Sequence, residues 1–349
     1  MMSLLRLLVK SRRKQGKPNH NSGGFTLIEL LVAMILAALV IGPLLGFMLN
    51  ILDTDRKEQA KTTSEQEIQA ALDYMARDLE QAVFIYDGYG LERISSQLLT
   101  VTNGTPVLAF WKREQIPNAV HINQTKLCTN ADPDNQCNDS FVYSLVAYYL
   151  INNTNNSNTT WSNTARIARF KIRDGIKDPL NPTTGSGSNT TTNYLTNTNK
   201  IQGQPDSGFQ IFNLSVPAGV TPDATVTPTE DRMNRWKKAS PAYTTTAEVL
   251  VDYIDQSTTG TPTIPSCRTT LSLDQSTDPQ RTDQRMLAQH PTLKSFYACV
   301  NSSKNEAYIY LRGNAMARWQ KNATYNANNS TAFPSATIRV KSRGFLFVE

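Results

Sequence analysis

The sequence predicts an α+β fold, a long N-terminal helix followed by a β-rich domain, on three observations. Residues 30–49 carry no charge, a run of about 20 residues, the length at which a helix crosses a bilayer. Ile68, Ala71, Leu72, Met75, Leu79, Ala82 and Val83 then recur three and four residues apart, the spacing of one apolar helical stripe. After Gly88 this period gives way to short runs of β-branched and aromatic residues, separated by polar stretches.

Taken in order, residues 1–24 form a basic leader holding Arg6, Lys10, Arg12, Arg13, Lys14 and Lys17 and no acid. These six residues account for the formal net charge of +6, because the other 29 Lys+Arg are matched by 29 Asp+Glu. The basicity therefore speaks of topology rather than of nucleic acid. Positive charge stays cytoplasmic, so the chain beyond the apolar run faces outward. Residues 25–52 are assigned to a membrane-spanning helix. Gly42 and Pro43 interrupt it, since proline removes a backbone donor and clashes with the preceding turn, although membrane helices tolerate both. Residues 53–86 continue the helix, polar at first and then amphipathic, with Asp73, Arg77, Asp78 and Glu80 opposite the stripe. A helix from Phe25 to Ile85 would be about 90 Å long.

Residues 87–349 are read as a β-rich extracytoplasmic head. Strands are expected at residues 97–102, 107–111, 141–151, 166–172, 247–254, 293–300, 306–312 and 337–348, with Glu306, Arg312 and Arg339 on a solvated face. Residues 152–163, 181–199, 221–229, 255–263 and 322–331 are too polar to bury and read as surface loops. Tyr148, Tyr149, Trp161, Trp236 and Trp319 are read mainly as packing residues, with stacking on sugars or partners as the other use. Arg232, Arg235, Lys237 and Lys238 surround Trp236 and read as a solvated loop face rather than a phosphate contact.

An even cysteine count outside the cytoplasm favours disulfides, and four cysteines permit three connectivities. Local pairing, Cys128 with Cys137 and Cys267 with Cys299, is preferred. Zinc is disfavoured, because neither pair has the short C-x₂₋₄-C spacing and only His121 and His290 follow the leader. Asp132, Asp134, Asn135, Asn138 and Asp139 offer oxygen ligands of the kind that hold Ca²⁺, but such clusters more often make turns. No cofactor or metal is expected. No G-x-S-x-G, H-E-x-x-H, Walker or dinucleotide motif is present, so an enzyme is not expected either.

The junction Gly23-Gly24-Phe25-Thr26-Leu27-Ile28-Glu29 holds the sharpest motif. A secretory signal would place its cleavage site after the apolar run. Here the order of basic leader, Gly-Phe-Thr-Leu-Ile-Glu and apolar helix resembles the class III signal of type IV pilins and pseudopilins. The resemblance implies cleavage between Gly24 and Phe25 by a prepilin peptidase, and N-methylation of the new Phe25 amine. It also implies that Glu29 pairs with an N-terminal amine, of a neighbouring subunit or of its own chain, since each charge is cheaper in the bilayer when neutralised. The partners implied are other pilins or pseudopilins, an inner-membrane assembly platform and membrane lipid, with no nucleic acid expected. The implied location is the inner membrane, single-pass, with the head outside the cytoplasm.

A narrower resemblance rests on the order of five segments: Asp78-Leu79-Glu80-Gln81-Ala82, Val146-Ala147-Tyr148-Tyr149-Leu150 before Arg166-Ile167-Ala168-Arg169, Val249 to Ile254, and Leu311-Arg312-Gly313-Asn314. This order is similar to J-type minor pseudopilins of type II secretion, W-type minor pilins and cyanobacterial pseudopilins of hormogonium polysaccharide secretion. The implied function is a minor subunit near the tip of a pseudopilus or type IV pilus serving protein or polysaccharide secretion. The alternatives are an adhesin-like minor pilin whose head binds glycan, DNA or a surface, and an anchored binding protein that never polymerises.

Overall fold

The computed structural model of the protein describes residues 24–153, 160–185, 191–215, 219–273, 281–344 and 346. The leader before Gly24, parts of the polar stretches 152–163 and 181–199, and the end of the strand expected at 337–348 lie outside them. The chain divides into two compact units, Met1–Asp55 and Arg56–Glu349.

Helix α1, Leu27–Glu80, contributes to both units and continues through Pro43. In the first unit its apolar side chains face outward, among them Leu27, Leu36, Leu39, Phe47 and Leu49. In the second, Ile68, Leu72, Met75 and Leu79 are fully buried. The helix stops at Glu80, short of the expected Ile85. Ala82 and Val83 belong instead to strand β1, Ala82–Ile85, all four residues of which are buried. The run Val83-Phe84-Ile85-Tyr86 suits a pleated surface better than a helix, and β1 pairs antiparallel with the next strand.

That strand, β2 (Gly104–His121), is followed by β3 (Cys137–Ile151) and β4 (Ala165–Arg173). A small ribbon, β5 (Thr183–Thr184) with β6 (Thr191–Thr192), sits in the insertion before β7 (Glu248–Ile254). The antiparallel sheet has the spatial order β1-β2-β3-β4-β7. A second antiparallel sheet has the order β11-β10-β9-β8, built from β8 (Leu287–Gln289), β9 (Phe296–Asn301), β10 (Glu306–Arg312) and β11 (Ser335–Lys341). Short helices α2 (Gly88–Ile94), α3 (Pro228–Met233), α4 (Cys267–Thr270) and α5 (Asp283–Met286) fill the connections. The strand expected at 97–102 does not form: a 3₁₀ turn over Ser95–Gln97 leads into non-strand chain there, and Leu98 is buried beside α2.

The five-stranded sheet is buried on both faces. Phe110, Tyr148 and Ile167 pack with the α1 stripe and with Phe296, Ile309 and Leu311 of the second sheet. The alternate residues Trp111, Tyr149 and Phe170 face a second core containing Tyr86, Phe209, Met233 and Trp236. Two-sided burial explains why residues 145–151 read as one continuous apolar run rather than an alternating one. Cys128–Cys137 closes the loop between β2 and β3, and Cys267–Cys299 ties α4 to β9.

Arg312 is not on the solvated face expected for it. It is 2% exposed and its Nη2 lies 2.8 Å from Oδ2 of Asp255, which is itself fully buried. The polar stretch 255–263 therefore begins in the core: Asp255 also accepts from Ser257 Oγ, and Ser257 Oγ accepts from the Tyr325 backbone N–H. Glu306 and Arg339 do form a rim pair across β10 and β11. Gly313 follows where the chain passes α1, and a Cβ there would lie 2.5 Å from Ile68 Cδ1. Asn314, buried in turn, caps the next turn by accepting from the Ala317 N–H and donates to the Ala323 carbonyl.

Candidate functional site

The N-terminal junction is built by helix capping. Gly24 and Phe25 precede the helix, and a Cβ on Gly24 would meet nothing within 4 Å, so this backbone is open to approach. Phe25 is 80% exposed. Thr26 is the N-cap: its Oγ1 and its carbonyl oxygen both accept from the Glu29 N–H, at 3.3 and 3.1 Å, and the carbonyl accepts from the Leu30 N–H as well. Glu29 thus occupies the third helical position, where unsatisfied N–H groups and the helix dipole favour a carboxylate. The sequence carries the signal for this start in Thr26-x-x-Glu29. Among the described residues no cation approaches the Glu29 carboxylate, and its neighbours Leu27, Ile28, Leu30 and Leu31 are exposed apolar side chains. The apolar part of α1 is long and apolar enough to cross a membrane.

A second carboxylate on α1 has the opposite setting. Asp78 was expected on the solvated side of the helix and is instead 7% exposed, against the five-stranded sheet. Lys112 Nζ donates to its Oδ1 at 2.9 Å; Arg169 Nε and Tyr148 Oη donate to its Oδ2 at 2.8 Å each. Burial pushes this carboxyl's pKa up, but the bonds and charges of Arg169 and Lys112 outweigh it and hold the group below its ordinary value. Spacing carried the clue: Asp78 lies three residues after Met75, on the stripe itself. Lys112 and Arg169 each lie two residues beyond an inward residue, Phe110 and Ile167, and so share the helix-facing side.

A further cluster was not foreseen. Asp87 caps α2 by accepting from the Gly90 N–H at 2.8 Å, and lies 3.8 Å from Arg281, which also pairs with buried Glu230. Burial, reinforced by the Glu230 charge and opposed by the Gly90 bond, raises the Asp87 pKa to about 6. Nothing in the sequence joins these three residues, which lie far apart along the chain.

The remaining candidates disperse. In the Cys128–Cys137 loop, Asp132 accepts from Thr129 and pairs with Lys126 and Asp134 pairs with Lys200, while just beyond it Asp139 accepts from the Asn118 N–H. These carboxylates turn to separate partners instead of converging on one point. Tyr148, Tyr149 and Trp236 are buried. The Trp236 Nε1–H donates to the Gln210 carbonyl at 2.7 Å, so the indole is not the centre of a basic surface. Arg235 pairs with Asp231, and Lys238 donates to the Ala239 carbonyl. Trp161 and Trp319 keep part of their surface exposed.

The profile of the prokaryotic N-terminal methylation motif matches residues 19–45. No curated protein and no solved structure matches the chain. The motif, joined to an apolar N-terminal helix and a β-rich α+β domain, supports a type IV pilin-like precursor that is processed by prepilin peptidase, anchored in a membrane and assembled with other pilins.

Proposed function

We propose that the chain is a minor subunit of a pseudopilus or type IV pilus, cut between Gly24 and Phe25 and placed near the filament tip to serve secretion of protein or polysaccharide. Glu29 is the observation that carries this reading. It is fixed at the start of an apolar helix with no cation beside it among the described residues, while its surroundings suit lipid or other apolar helices. An unpaired carboxylate within hydrocarbon costs on the order of 2.5–3.5 kcal/mol. The new Phe25 amine of an adjoining subunit supplies the missing positive charge, so Glu29 acts as a register device for entry into the filament. The size of the Arg56–Glu349 unit and its long loops favour a low-abundance position, since such bulk obstructs the close repeat of a major subunit.

The test is to shear filaments from cells and measure the copy number of this chain against the major subunit, with the mass of its N-terminus. The reading expects a substoichiometric chain beginning at N-methylated Phe25. A chain as abundant as the major subunit, or one that is never cleaved, contradicts it.

A further inference from the structure

One groove in the Arg56–Glu349 unit is unrelated to the N-terminal junction. It has a cavity volume of about 850 Å³ and runs between the amphipathic part of α1 and strand β7, the edge of the five-stranded sheet. Its apolar surface comes from Leu250, Val251 and Ala71, and its aromatic surface from Tyr74, Trp161 and Tyr253. Tyr74 is 43% and Trp161 38% exposed, so both rings leave part of their surface open.

The Trp161 loop is held in place at several points. Asp252 of β7 accepts from the Ser162 N–H and from Ser162 Oγ, both at 2.7 Å. Asn153 donates to the Ser162 carbonyl and Gln256 to that of Asn163, each at 2.9 Å. Four hydrogen bonds from three side chains therefore fix the short segment that presents one exposed indole. The facing strand is shaped as well. Ala165 pairs with Ile254 and Ile167 with Val251, so Asp252 and Tyr253 together oppose the single residue Arg166. This is a bulge, a device that re-aims side chains at sheet edges and beside binding sites. Tyr253 has φ +57°, a conformation that costs a non-glycine residue free energy and is characteristic of ligand clamps. Its ring lies under the Arg318 guanidinium at 4.0 Å, and Arg318 pairs with Glu67 at the groove wall.

We infer that this groove binds a neutral saccharide chain. The part-exposed rings of Trp161 and Tyr74 offer flat apolar surface to the C–H faces of pyranose rings, and the carboxylates and hydroxyls beside them offer hydrogen bonds to sugar hydroxyls. The lining contains two carboxylates, Asp252 and Glu67, and no Lys or Arg. Two guanidiniums beside the rings are engaged with carboxylates, Arg318 with Glu67 and Arg169 with Asp78, and each lies over one ring face, of Tyr253 and Tyr74. That charge pattern disfavours uronate-rich or sulfated polymers and nucleic acid, whose binding rests on cationic contacts. The inference stands apart from filament entry, because the groove lies wholly within the Arg56–Glu349 unit.

The test uses the full mature chain in micelles of a detergent without a sugar headgroup. Neutral gluco-, manno-, xylo- and N-acetylglucosamine oligosaccharides are titrated, with binding read by calorimetry and by ligand-observed NMR. At least one neutral series is expected to bind, and Trp161→Ala and Tyr74→Ala each to weaken it by about tenfold or more. Asp252→Asn should weaken it less, because the amide keeps part of the loop anchorage. Trp319→Ala, which removes a similarly exposed indole outside the groove, should bind as the parent does, and far-ultraviolet circular dichroism of each variant checks the fold. Failure of every neutral series to bind, preferential binding of uronate oligosaccharides or DNA, or unchanged affinity in Trp161→Ala would each overturn the inference. A groove reserved for a neighbouring subunit predicts the first of these. Filament incorporation of Trp161→Ala is measured in parallel and should stay at the parent level; a loss of incorporation together with no sugar binding would assign the groove to a neighbouring subunit and overturn the inference, while leaving the assembly reading intact.

Discussion

Two of the carboxylates on helix α1, Asp78 and Glu29, stand in opposite settings. Asp78 is surrounded by its own chain: a lysine, an arginine and a tyrosine converge on it within 2.9 Å, and the helix around it is buried by Ile68, Leu72, Met75 and Leu79. Glu29 has one contact of note, the backbone cap from Thr26, and its segment exposes apolar side chains throughout. The difference teaches where each charge is compensated. Asp78 is neutralised within the fold and holds helix to sheet. Among the described residues nothing compensates Glu29, and nothing covers the apolar surface around it.

Breaking the Asp78 side of this contrast should have the largest effect on stability. Asp78→Ala strands Lys112 and Arg169 in a buried setting, and losing one partner of such a cluster costs about 3–5 kcal/mol. Chemical denaturation of the mature chain measures it, and a loss under about 1 kcal/mol would mean that water already reaches the cluster. Next in size is the Cys267–Cys299 bridge. It closes a longer loop than Cys128–Cys137, with separations of 32 and 9. The chain-entropy relation gives the longer loop about 3.7 kcal/mol and the shorter about 2.7. The paired Cys→Ala variants should keep that order, and membrane insertion should be untouched by either.

Backbone crowding gives a smaller, local test. A Cβ on Gly88 would lie 2.1 Å from the Leu287 carbonyl oxygen, a backbone atom that cannot step aside alone. Gly88→Ala should therefore destabilise the head by about 1–3 kcal/mol, read as a lower melting temperature. The smallest effect concerns pH. The folded pKa of Asp87 is raised from 3.8 to about 6, so the native state keeps a proton that the unfolded chain has already released. Stability from this group falls as pH rises through that window. Asp78 has the opposite sign: its depressed pKa gives stability above the ordinary carboxylate range that is lost as pH falls through the folded value. Asp87→Asn, which can still cap α2, should flatten the melting temperature between about pH 4 and 6, and an unchanged slope would locate the titration elsewhere.

Much of this was legible in the sequence because it depends on local period and charge. The uncharged run, the stripe from Ile68 to Leu79, the glycine-aromatic-glutamate junction and the runs that became β3, β4, β7 and β10 all follow from neighbours along the chain. What escaped depends on contacts across it. Charge alone points Asp78 and Arg312 to solvent, yet each lies in register with apolar positions and meets its counter-ion tens to nearly a hundred residues away. Ala82 and Val83 extended the helical spacing, but pairing with β2 claimed them as strand. The groove was invisible for a related reason: Trp161 stands in a polar stretch, and only the fold brings Tyr74 and Tyr253 beside it.

The most direct test of the contrast is filament incorporation of Glu29→Ala, measured beside membrane insertion and the stability of the head. The account predicts a chain that inserts, is cleaved at Gly24 and unfolds at the parent denaturant midpoint, yet is missing from sheared filaments. A Glu29→Ala chain recovered in filaments at the parent level would contradict it.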